Sequence, residues 1–116
     1  MRRRIFAVAL LVIVMSCLSI PTYAAVQGAI INNDLSFSGT TAICWADVTQ
    51  SGKSISATLE LWYGNNCLAS WYATGNGDVN LGGTCLVTSG LEYTQVLSGT
   101  INGVPFGPLS TQNTCP

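Results

Sequence analysis

Ten residues in the middle of the chain set the fold class. From Ser54 to Tyr63, the apolar residues Ile55, Ala57, Leu59, Leu61 and Tyr63 alternate with Ser54, Ser56, Thr58, Glu60 and Trp62. A period of two puts one set on each face of an extended strand, whereas a helix would scatter both sets around its axis. Thr41–Thr49 repeats the pattern with Ala42, Cys44, Ala46 and Val48, and Cys67–Thr74 does so with Cys67, Ala69, Trp71 and Ala73. In Leu91–Ile101, the residues Leu91, Tyr93, Leu97 and Ile101 share a parity. Leu35–Ser38, with Gly28–Ile31, supplies an opening strand. Val79–Ser89 holds a weaker one, centred on Cys85, Leu86 and Val87 after a break at Gly82-Gly83. Gln50-Ser51-Gly52-Lys53 reads as a hairpin turn, and further turns fall at Gly64-Asn65-Asn66, Gly75-Asn76-Gly77-Asp78 and Ser89-Gly90. Asn102–Pro116, with three prolines, reads as a loop or edge segment tied down by Cys115. Six to seven short strands separated by turns indicate an all-β antiparallel sandwich or small barrel.

The N-terminus is of a different kind. Arg2, Arg3 and Arg4 precede the uncharged run Ile5–Ile20, and Thr22-Tyr23-Ala24 ends on a small residue. That is the layout of a secretory signal peptide, helical in its apolar part, with cleavage after Ala24. A retained anchor would need about 20 apolar residues, and Ser16, Cys17 and Ser19 interrupt this shorter run. Lipidation at Cys17 is a second alternative, with Met15 poorly suited to it. The expected division is therefore a signal peptide over 1–24 and a single domain over 25–116, secreted or extracytoplasmic. Export removes every arginine. Lys53 then stands against Asp34, Asp47, Glu60, Asp78 and Glu92, a net charge of −4. A single lysine cannot make a nucleic-acid face, no remaining run can span a bilayer, and the chain has no histidine. No N-x-S/T sequon is present, which favours a bacterial source.

Four cysteines remain after export: Cys44, Cys67, Cys85 and Cys115. An even number in a short exported chain indicates two disulfides, which restrain a domain too small to bury a large core. No close C-x-x-C pair suggests zinc, and no cation stands by to activate a thiolate. Spacing alone leaves all three connectivities open.

Val87-Thr88-Ser89-Gly90-Leu91-Glu92-Tyr93 resembles the run that leads into strand F of immunoglobulin-like and fibronectin type III domains. In those domains the tyrosine hydroxyl bonds back to the backbone as a tyrosine corner. The resemblance implies a Greek-key β-sandwich with Tyr93 and Gly90 at the corner, and strand parity separately makes Trp71 the core tryptophan. It departs from an immunoglobulin domain at Gln95, where the second bridging cysteine should stand. With family-like strand order, Cys44 and Cys85 lie on neighbouring strands, which implies Cys44–Cys85 and Cys67–Cys115 bridges. The pattern also resembles small exported bacterial β-sandwich proteins without assigned function, and it supplies no catalytic residues.

The chemistry that remains is limited. Serine nucleophiles lack a base, so the chain is read as non-enzymatic and without cofactor. Glu60 and Glu92 share the outward parity of strands that would be adjacent, the only carboxylate pair to consider for acid–base catalysis. Asn76, Asp78 and Asn80 resemble a calcium loop but lack a distal bidentate glutamate, and a plain turn explains them better. Trp45 and Trp62 fall on the outward parity, where exposed aromatics on a lightly charged sheet mark contact surfaces. The expected binding face holds Thr58, Glu60, Trp62, Glu92, Thr94 and Val96, with Trp45 also outward. Tyr72 and Leu68 join if the turn before Cys67 has three residues, and Ala69 and Trp71 join if it has two. The expected function is a secreted binding module for an extracellular protein or glycan surface. The alternatives are a secreted inhibitory effector or a structural surface protein.

Overall fold

The computed structural model describes residues 28–116. The expected signal segment and Cys17 lie outside the described residues. Within them the chain is all-β and antiparallel, with no helix. Five strands follow one another: β1 (Ile30–Ser38), β2 (Thr41–Tyr63), β3 (Asn66–Leu86), β4 (Glu92–Ile101) and β5 (Val104–Thr114). They form one sheet in the order β1-β2-β4-β5, and β3 also pairs with β2.

Two of the expected turns are bends within strands. Thr49 pairs with Asp78 and Ser54 with Asn76, so Gln50–Lys53 stand opposite a single residue, Gly77. The excess length on β2 bulges the strand instead of reversing it, because a bulge kinks a strand and leaves its pairing to resume beyond. Thr41–Thr49 and Ser54–Tyr63 are therefore consecutive lengths of β2 and not partners in a hairpin. Gly75–Asp78 is the matching bend in β3, and β3 runs through Gly82-Gly83 without a break. These fusions give five strands in place of six to seven.

The tail also differs from its loop reading. Asn102 and Gly103 have φ of 50° and 79°, and they join Ile101 to its partner Val104 in a two-residue hairpin. Asn-Gly suits such a turn because both positions need positive φ. β5 tolerates Pro105 and Pro108 because it is an outer strand.

The bends curl the sheet. The first half of β2 carries β1 on one side and the second half of β3 on the other, while its second half carries β4 and the first half of β3. Inward residues of every strand form one core that includes Leu35, Val48, Ile55, Leu59, Leu61, Leu97, Ile101 and Phe106. Burying each large side chain contributes about 1.5–3 kcal/mol. The curl brings β1 over β4 and β5. There Gln95, fully buried, donates from Nε2 to Asn33 Oδ1 at 2.6 Å, to the Asp34 carbonyl at 2.9 Å and to the Trp45 carbonyl at 3.3 Å. Asn33 Nδ2 donates to Leu109 O and Asn113 Nδ2 to Leu35 O, both at 3.0 Å. At one end, the buried Tyr93 hydroxyl accepts the Thr88 N–H at 2.8 Å, and its ring meets Phe37 and Tyr63 at 6.1 and 5.6 Å.

Replacing Gln95 by Ala should lower stability by about 1–3 kcal/mol, because it strands the groups that its amide satisfies. Tyr93→Phe should cost less, about 0.5–1.5 kcal/mol, since it removes a hydrogen bond but keeps the ring packing. Urea unfolding of both variants against the native chain checks the size and the order.

Candidate functional site

Burial of Ala57, Leu59 and Leu61 turns Thr58, Glu60 and Trp62 to the outer face. Pairing then assembles three rows across the strands: Tyr72, Thr58 and Ser98; Ser70, Glu60, Val96 and Ser110; and Cys67, Trp62, Thr94 and Gln112. The turn before Cys67 has two residues, Gly64 and Asn65, since Tyr63 pairs with Asn66. A one-residue slip follows, with Trp62 opposite Cys67 but Leu61 opposite Ala69. The bulge reverses the parity set by the turn. Tyr72 therefore lies outward, 69 % exposed, and Trp71 lies inward against the core.

Trp62 is half-buried, not exposed as its parity suggests. Its indole N–H donates to Glu60 Oε1 at 3.2 Å. Gln112 Nε2 donates to Thr94 Oγ1 at 3.3 Å in the same row. The face thus presents one open aromatic ring, one half-buried indole fixed by a carboxylate, and hydroxyls from Thr58 and Thr94. Glu92 pairs with Thr114, on the same outward line beyond Thr94. Because Glu60 pairs with Val96, four residues separate the two glutamates along the strands, roughly 13 Å. That exceeds the reach of a paired-carboxylate mechanism, so these residues do not form a catalytic pair.

Trp45 lies on the other side of the β2 bend, 42 % exposed and paired with Asp34 and Gly82. The sheet therefore does not bring it to the Trp62 rows. It borders a shallow open groove of about 390 Å³, lined also by Ile43, Asn80 and Thr84. Gly82 also lines the groove, with φ of 140°, and a Cβ there would collide with the Cys44 carbonyl. Gly83 serves the inner face, where a Cβ would come within 2.6 Å of the Trp71 indole nitrogen.

Near this groove the sequence reading missed a polar cluster. Thr49 Oγ1 lies 3.2 Å from Asp47 Oδ2 and 2.6 Å from Asp78 Oδ1, and Asn80 Nδ2 donates to Asp78 Oδ2 at 3.3 Å. Desolvation, with help from Asp78, raises the Asp47 carboxyl above the ordinary carboxylate range. Hydrogen bonds, first from Thr49 and then with Asp47, hold Asp78 below it. Asp47, Thr49, Asp78 and Asn80 share the outward parity of paired strands, and that was the available signal. Among the described residues no group of three or more His, Cys, Asp or Glu could hold a metal.

The four cysteines are unpaired. Cys44 and Cys85 lie on neighbouring strands and point inward, two register positions apart, with Cys44 opposite Gly83 and Cys85 opposite Ala42. A Cys67–Cys115 bridge is contradicted. Cys67 is exposed beside Trp62, whose row crosses β4 before it reaches Gln112 on β5, so roughly 14 Å of sheet separates the two. A disulfide requires Cα atoms within about 7 Å. Cys115 is buried elsewhere, with Sγ 3.3 Å from the Gly39 carbonyl.

Compared with protein-family models, curated proteins and solved structures, the chain matches none.

Burial pushes the Cys44 thiol up to about 11 from the ordinary 9.0, with a smaller push from Cys85. The folded state therefore keeps this proton to higher pH than the unfolded chain does. The stabilisation is complete below pH 9.0, falls as pH rises, and is gone by about pH 11. In the reduced chain, Cys44→Ala should flatten the loss of stability between those pH values, as measured by urea midpoints. Iodoacetamide should modify Cys67 in the folded state and reach Cys44 and Cys115 only on unfolding.

Proposed function

We propose that the chain is a secreted, non-catalytic binding module that meets an extracellular protein or glycan through the outer face of β2, β3 and β4. The reading rests on one observation: Thr58, Glu60, Trp62, Thr94 and Tyr72 are contiguous there, with the Trp62 indole fixed by Glu60 and the Tyr72 ring open. A fixed ring loses little entropy on binding, and aromatic anchors ringed by polar groups dominate most contact surfaces. Glu92 lies at the margin of this face, and Trp45 belongs to a separate surface.

The finer fold reading is an immunoglobulin-like Greek-key sandwich. The Tyr93 to Thr88 bond has the geometry of a tyrosine corner and supports it. The packing of β1 against β4 and β5 through Gln95 supports two facing layers, with Gln95 replacing the inter-sheet disulfide. In the exported, oxidised chain we propose a Cys44–Cys85 bridge across their shared inward face, formed with a small backbone shift, since diagonal neighbours lie about 7–8 Å apart at Cα. Peptide mapping of oxidised protein tests that pairing.

Trp62→Ala combined with Tyr72→Ala should weaken binding to cell-surface fractions by tenfold or more, roughly the loss of one or two anchor residues. Trp45→Ala should leave it unchanged. Protease-treated and periodate-treated fractions separate protein from glycan targets. Unchanged binding by the double variant would remove this face from the proposal.

A further inference from the structure

The outer edge of β3 carries backbone groups that the binding face does not use. Among the described residues β3 pairs with β2 alone, along the whole of Asn66–Leu86. The other two outer strands face each other, and Asn33 and Asn113 bridge them through Leu109 O and Leu35 O. Free edges are normally blunted by lysine, proline or inward charge. β3 contains no lysine, arginine or proline, and its one charge is Asp78. Leu68, Tyr72 and Leu86 on this strand are 43, 69 and 82 % exposed.

We infer that the edge takes β3 of a second copy of this chain, antiparallel, about a two-fold axis through Asn76. The bend is the first reason. It spans Gly75–Asp78, and Asn76 is the midpoint of β3, with ten residues on each side. A straight partner strand would diverge from β3 beyond the bend. The axis sets two equal bends side by side, and a rotation about the sheet normal keeps both concave faces on the same side. Residue matching is the second reason. About Asn76, Ala73 meets the partner's Val79 and Trp71 meets the partner's Leu81 on the inner face. On the outer face Thr74 meets the partner's Asp78 and Tyr72 meets the partner's Asn80. Each pair occurs twice, apolar with apolar and polar with polar. Incomplete cover is the third reason: Trp71 and Ala73 are only partly buried, and an added strand extends the inner face beside them. Because the contact is isologous, it closes as a dimer.

Light scattering of the purified chain over a concentration series should show a dimer. Thr74 is exposed, so Thr74→Asp should leave the fold intact, as circular dichroism would show. It sets two like charges against the partner's Asp78 and should weaken the dimer roughly tenfold. Thr74→Lys sets opposite charges there and should hold or tighten it. In a Cys67→Ser background, Asn76→Cys lies on the axis. Oxidised glutathione should convert it to the disulfide-linked dimer, two thiols giving one disulfide while two glutathione thiols are released. A chain that stays monomeric at several hundred micromolar, or a dimer indifferent to the sign of residue 74, would overturn the inference.

Discussion

The curl of the sheet depends on one buried amide. Gln95 sits on β4 with apolar neighbours of its own parity, Tyr93 and Leu97, yet it reaches across the concavity to Asn33, Asp34 and Trp45. Its Nε2 makes these bonds, and breaking them would leave buried acceptors unpaired at a cost, while Gln95 Oε1 itself has no partner among the described residues. Gln95 therefore holds β4 against β1 and β2 at a fixed separation. Apolar packing alone is non-directional and would leave that separation looser. Asn33 continues the link to β5, so side-chain amides close the seam where backbone pairing stops.

Strand bends do the rest. Four residues of β2 opposite one of β3 turn both strands together, so a long hairpin serves two regions of sheet. The outer surface is thereby divided. One region carries the Trp62 and Tyr72 rows, and the other carries Trp45 with its groove and the cluster around Asp78. The same division leaves β3 at the margin along its whole length, while β1 and β5 meet. A thickness of 17 Å against 42 and 41 Å in the other directions reflects this open curl.

Much of the face was legible in the residue pattern. The inward parity of Leu59 and Leu61 placed Thr58, Glu60 and Trp62 outward, and the parity of Tyr93 and Leu97 placed Thr94 outward. Tyr72 was legible only as a conditional, because a turn of either length was compatible with Gly64-Asn65-Asn66. The bulge after the turn decided it. The half-burial of Trp62 was not legible, since parity gives a direction but not the neighbours that cover a ring. The β5 hairpin was legible in Asn102-Gly103, and the prolines that follow obscured it.

The sequence by itself determined the all-β class, the inner and outer residues along β2 and β4, and a composition poor in charge. These follow from alternation and composition, which are local properties. Tertiary structure alone decided that Gln50–Lys53 bends a strand instead of reversing it. It also decided that Glu60 and Glu92 stay apart, that Cys67 and Cys115 cannot meet, and that Gln95 is fully buried where it reaches Asn33, Asp34 and Trp45. Each of these depends on register between strands distant in sequence, and register is set by the joint burial of all the inward faces.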